Sequence, residues 1–204
     1  MATVRTAIGP ADQGVEMTLD EFLDADMEEG YRYELADGVV VVIDIPKTPH
    51  ARVVSWLYGV ARDFQREYPG VIDFFGAGSD IRIWKPGGRS ARHPDLGIIF
   101  PGAPLDSRGN LIPTLVAEVI SPSSKRRDYI EKRGEYLGCS VLEYWIVDPT
   151  LRQVTVLTRP SLDVVDWTEL VLKGEDRLMS RLLPGLNLPI TDLWVGLTES
   201  DLDD

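Results

Sequence analysis

Several features that would decide the class of this chain are scarce or missing. Its 204 residues include one cysteine and two histidines. Cys139 has no partner for an internal disulfide, so a reducing, cytoplasmic compartment is expected. It reads as a small packing residue just after a helix. With only His50 and His93 as imidazoles, a zinc-type Cys/His cluster is excluded, and neither belongs to a thiol-protease signature. No apolar run reaches the roughly 18 residues of a membrane span, and Met1 to Glu16 lacks the apolar core of a secretory signal. There is no Gly-x-Ser-x-Gly elbow and no Gly-x-x-x-x-Gly-Lys phosphate loop. Positive charge is short as well. Twenty-one Lys and Arg face 33 Asp and Glu, a formal net charge of −12.

That charge excludes a uniform electrostatic grip on nucleic acid, because proteins that bind polyphosphate over their whole surface are basic. Contact would have to be confined to a local basic patch. Two clusters offer one: Lys125-Arg126-Arg127 with Lys132-Arg133, and Lys85 through Arg92. Either would also serve as a plain solvated face. The remaining composition, 44% apolar and 26% charged, is that of an ordinary globular protein. A single domain over 16–196 is expected, between a disordered tail over 1–15 and an acidic tail over 197–204.

The organising stretch runs from Leu115 to Pro149. Leu115 to Ile120 is a short apolar run bounded by Pro113 and Pro122, the pattern of a buried strand, and it contains one acid, Glu118. An ionised carboxylate there costs several kcal/mol unless it is paired or bound to metal. The Ser-Pro-Ser-Ser cluster starting at Ser121 offers helix caps, and Gly138 ends the helix as a left-handed C-terminal residue. Asp128, Lys132 and Tyr136 recur at i, i+4 and i+8 on one face. Tyr144 to Val147 is a second buried strand. This strand-helix-strand order leaves open whether the strands run parallel.

Elsewhere, Thr18-Leu19-Asp20-Glu21 has the form of a capping box opening a helix through about Glu28. Tyr31 to Leu35 and Val39 to Ile43, separated by Ala36-Asp37-Gly38, read as a hairpin with Glu34 in its first arm. Thr48-Pro49 opens a helix whose Val53, Trp56, Leu57, Val60, Ala61 and Phe64 form a core stripe. Val71 to Phe75, Asp80 to Lys85 and Asp95 to Phe100 are short strands, and 101–113 is a surface loop. A β-rich C-terminal part follows from Val154, closing with a helical turn over Thr191 to Val195. The fold class is α/β, with an α+β mixed sheet.

Glu34, Asp95 and Glu118 stand out because each lies in or beside a strand. If the Asp95 and Glu118 strands pair, the two carboxylates converge on one cation. Magnesium or manganese prefers oxygen ligands and keeps several waters, so two or three carboxylates suffice. Lys132 beside such a site would suit phosphodiester hydrolysis. Structural readings remain open beside this one: Glu118 as a buried acid paired with Lys132 or Arg126, Asp95 as a turn cap, and the helix series as an exposed ladder worth a few tenths of a kcal/mol.

The series Tyr33-Glu34-Leu35 with Asp37-Gly38, Pro49-His50, Pro94-Asp95, Glu118-Val119-Ile120-Ser121-Pro122-Ser123-Ser124, Asp128, Lys132, Tyr136, Glu143 to Pro149 and Leu183-Pro184-Gly185-Leu186 resembles the Uma family of restriction endonucleases, in the PD-(D/E)XK nuclease superfamily. The likeness spans about Met17 to Val195. It implies a bacterial protein with a restriction-endonuclease-like core: a mixed sheet with flanking helices, and acids on adjacent strands binding magnesium. It also implies a DNA endonuclease, expected to work as a homodimer because two active sites are needed to cut both strands. Carried over, Asp95 is the Pro-Asp acid, Glu118 the second acid and Glu34 the acid before the turn, all three implied metal ligands. The superfamily places lysine two residues after the second acid, where this chain has Ile120; its lysine is Lys132 on the next helix. Ser121, Asp128, Tyr136 and His50 fall in the same motifs as accessory candidates, and His93 is adjacent. A catalytically weak nuclease-fold binding or assembly module is the alternative.

Overall fold

The computed structural model describes residues 7–43, 48–77, 80–84 and 87–198. In chain order the elements are β1 (Ala7–Ile8), α1 (Leu19–Asp24), β2 (Asp26–Met27), β3 (Arg32–Ala36), β4 (Val39–Ile43), α2 (Thr48–Glu67), β5 (Phe74–Gly76), β6 (Ile83–Trp84), β7 (Ala91–Arg92), β8 (Leu96–Ile99), β9 (Leu115–Val119), α3 (Lys132–Leu137), β10 (Glu143–Asp148), β11 (Gln153–Thr158), β12 (Thr168–Lys173), β13 (Arg177–Leu178) and β14 (Leu188–Pro189). A π-helical turn, Arg127–Glu131, leads directly into α3. No helix among the described residues is long and apolar enough to cross a membrane.

The principal sheet has six strands in the order β12-β11-β10-β9-β8-β5. β9 and β10 run parallel, with Glu118 opposite Ile146, and the other pairs are antiparallel. Parallel strands joined by a helix have both faces covered, which is why every residue of β9 and β10 is buried. One face takes Val53, Leu57, Ala61 and Phe64 of α2 against Leu115, Ala117, Val119 and Trp145. The other takes Tyr136 of α3 against Val116, Ile120, Tyr144 and Ile146. Side chains alternate along β9, so Glu118 points to the α3 face. That alternation positions the site.

A second, four-stranded antiparallel sheet runs β4-β3-β7-β6. Its hairpin turns through Asp37 (φ 48) and Gly38 (φ 81), two positive-φ residues as a type I′ turn requires. The outer edge of β4 is covered by the chain before α1: Gly14 N–H donates to Val40 O, Val40 N–H to Val15 O, and Met17 N–H to Gly38 O.

Several expectations need correction. Residues 7–15, expected to lack structure, pair through β1 with β2 and fully bury Ile8; residues 1–6 and 199–204 of the two tails lie outside the described residues. The Thr18 capping box is present, Glu21 N–H donating to Thr18 Oγ and Thr18 N–H to Glu21 Oε2. However, α1 ends at Asp24 because the chain then enters β2. β5 and β6 are shorter than expected. Gly138 ends α3 at φ −75, right-handed, with its N–H donating to Glu135 O, so its freedom at positive φ is not used.

Candidate active site

Four carboxylates gather at Lys132. β3 brings Glu34, the residue before β8 is Asp95, β9 brings Glu118, and the π turn brings Asp128. Lys132 Nζ lies 2.9 Å from Glu118 Oε1, 3.0 Å from Asp128 Oδ1 and 3.7 Å from Glu34 Oε1. The π turn closes with Lys132 N–H donating to Arg127 O, five residues back, and it turns both Asp128 and Lys132 inward. Such turns are frequent at functional sites. Tyr136, one α-helical step on, donates its hydroxyl to Glu118 Oε1 at 2.5 Å. The helix series Asp128, Lys132 and Tyr136 is therefore a buried face and not an exposed ladder.

Asp95 completes the group. Its Oδ2 accepts from Val119 N–H at 2.9 Å and lies 3.0 Å from His50 Nε2. Leu96 pairs with Ala117, so the antiparallel register brings Asp95 alongside Glu118. His50 Nδ1 is buried and has no hydrogen-bond partner among the described residues. The five groups Glu34, Asp95, Glu118, Asp128 and Lys132 are only 2 to 8% exposed. The side chains of Asp95 and His50, at 11 and 12%, are the ones nearest to solvent.

The electrostatics follow from charge count. Burial pushes Lys132 down, but Asp128, Glu118, Glu34 and Asp95 together raise it above its ordinary value, so it stays protonated. Burial pushes Asp95 up, and this is outweighed by the His50 hydrogen bond and charge, Lys132 and the Val119 N–H. Glu34 is likewise held down against burial by Lys132, Arg92 and the His93 N–H. Glu118 goes the other way: burial, with Asp95, Asp128 and Glu34 adding repulsion, pushes it up to about 8 although Lys132 is in contact. One ammonium serves several carboxylates and cannot hold them all ionised.

This tests the fit of a metal. The donors beside Lys132 are all carboxylate oxygens, the set a hard cation prefers, and the unrelieved repulsion on Glu118 is what a divalent charge would remove. Among the described residues no three His, Cys, Asp or Glu side chains stand together in ligating reach.

The sequence offers Arg92 only as the end of a basic surface cluster and gives no signal for Glu135. Buried Arg92 donates from Nη1 to Glu34 Oε2 at 3.1 Å, and from Nε and Nη2 to Glu135 at 2.7 and 2.8 Å. It fixes Glu34 from behind. Its neighbour His93 donates its backbone N–H to Glu34 Oε1, and its Nδ1 lies 3.2 Å from Ile81 O. Ser121 stays outside the cluster; its N–H donates to Ser124 Oγ and its hydroxyl lies 3.3 Å from that of Ser123, so it shapes the helix start. The basic clusters are depleted: Lys132 and Arg92 are internal, and Arg133 pairs with Glu169. Lys85 lies outside the described residues. Lys125 and Arg126 remain exposed. Beyond Arg92 and Tyr136 lies a cavity of about 200 Å³, lined in part by Trp84, Ser90, Glu135 and Cys139, which takes in neither Asp95 nor Glu118.

A mixed sheet carrying acids on adjacent strands, backed by helices and joined by one inward lysine, defines a restriction-endonuclease-like fold. The chain belongs to the Uma2 family, described as "Putative restriction endonuclease", whose model matches residues 19–191. Its fold is similar to the crystal structure of "a putative nuclease belonging to DUF820 from Anabaena variabilis ATCC 29413", with a TM-score of 0.68 and 21% identity over 87% of this chain and 97% of that one. No curated protein matches.

Proposed function

We propose that this protein is a metal-dependent DNA endonuclease that hydrolyses phosphodiester bonds in the cytoplasm. The observation that carries the reading is the convergence of Asp95, Glu118 and Glu34, from three separate strand segments, with the Lys132 ammonium. A bound magnesium or manganese ion would supply Lewis acidity and a water of lowered pKa. Asp95, held ionised and fixed by Val119 N–H and His50, and Glu118, oriented by the Tyr136 hydroxyl, are the oxygen donors. Lys132 stays protonated, so it can stabilise negative charge developing on a phosphate. Glu34 is the third acid, setting Lys132 in place while Arg92 holds it. Lys125 and Arg126 at the start of the helix offer the local basic contact for DNA.

The near-complete burial of these groups and the net charge favour a second reading, a nuclease fold kept as a binding or assembly module. Incubation with supercoiled plasmid and magnesium separates the two. Nicking that disappears in Asp95→Ala supports the endonuclease; equal nicking by both proteins removes the assignment. The absence of a calorimetric magnesium or manganese site, or metal binding that leaves plasmid untouched, would select the module, whereas metal binding lost in Glu118→Ala would argue against it.

A further inference from the structure

We propose that β12 is the surface through which two copies of this chain pair edge to edge, about a two-fold axis at Val171. The principal sheet ends at β12, so one side of this six-residue strand has no neighbour among the described residues. An unpaired edge is a template for another strand, and folded proteins blunt it with short strands, prolines, bulges or a covering segment. This chain does so elsewhere. β5, at the other end of the sheet, has three residues, and β4 of the second sheet is overlaid by residues 14–17. β12 has no proline, bulge or covering segment among the described residues, and its edge charges, Glu169 and Lys173, are of opposite sign and so do not repel a second copy. It pairs without interruption to β11 over all six residues and exposes Leu170 at 57% and Val171 at 40%.

The sequence Thr168-Glu169-Leu170-Val171-Leu172-Lys173 fits a second copy of itself. Antiparallel pairing joins residues whose hydrogen-bonding groups point the same way, so a symmetric dimer must place a residue opposite its own copy. Centred on Leu170, the pairing sets Glu169 against Val171 and leaves the charges unmatched. Centred on Val171, it sets Glu169 against Lys173 twice, Leu170 against Leu172 twice, and Val171 against itself. Opposite charges and apolar groups directly across the ladder are the favourable cross-strand pairs. In the single chain Glu169 already accepts from Arg133, so a Lys173 from the second copy would extend that pair into a short charge row. The surface is self-complementary in one register only.

The inference is independent of the nuclease reading, since a catalytically silent protein would pair equally well. Sedimentation velocity on the full chain over a dilution series tests it. The unaltered protein is expected to show a dimer that dissociates on dilution. Val171→Lys sets two ammonium groups on the axis and should give a monomer of unchanged melting temperature. Glu169→Lys and Lys173→Glu, each alone, should weaken the dimer several-fold, while the double reversal restores it. A monomer at every concentration, a dimer indifferent to Val171→Lys, or a double reversal no tighter than the single ones would each overturn the pairing. Should Val171→Lys fail to fold, the charge reversals carry the test alone.

Discussion

Glu118 gives the molecule a contribution to pH dependence whose sign is fixed. Its carboxyl is raised from an unfolded value of 4.5 to about 8, so in that window the folded chain holds a proton that the unfolded chain has released. Stability therefore falls as pH rises from 4.5 towards 8. Glu34 and Asp95 act oppositely, since their lowered values give stability that is lost as pH falls through them. We expect Glu118→Gln to flatten the decline in melting temperature across that window and to abolish magnesium binding; a decline identical to that of the unaltered chain would count against it. Lys132→Met should cost about 3–5 kcal/mol in urea unfolding, because it strands buried carboxylates, and should stop plasmid nicking. The three strand acids are legible in the sequence because a carboxylate in a β-rich apolar run needs a partner. Arg92 and Glu135 are not, since a basic residue after a Gly-Gly-Arg-Ser turn and an acid on a polar helix look solvated until the fold encloses them.

At the level of elements, α2 shows what periodicity conveys. Its proline start and apolar stripe mark its span and most of its buried face: Val53, Leu57, Ala61 and Phe64 pack where the pattern puts them, while Trp56 and Val60 are only half-buried at the margin. Leu57→Ala should cost about 2–5 kcal/mol by urea unfolding. It should leave nicking intact in the folded protein, because Glu118 lies on the opposite face of the sheet and Asp95 is held by His50, at the far end of α2 from the deleted side chain's packing partner Phe64. The π turn is invisible at this level. Asp128 and Lys132 are four residues apart in either helix type, and only the bond from Lys132 to Arg127 distinguishes them. β1 and β2, of two residues each, are likewise too short to leave an alternation.

On the scale of the whole molecule, a net charge of −12 and a basic surface thinned by internal pairing leave few cations for phosphates. With Lys125 and Arg126 as the contacts, the logarithm of DNA affinity should fall with the logarithm of salt at a slope of about −2, roughly −0.9 per phosphate. Filter binding without divalent ions measures this, and a slope several times steeper would mean that the patch lies elsewhere. The strand laid along β4 by residues 14–17 has a consequence for handling. A protease cut just ahead of Met17 would strip that seam and give each molecule a second sticky border, on a different sheet from the first. Units with two such borders link into open-ended chains, so clipped preparations should cloud on standing while intact ones stay clear.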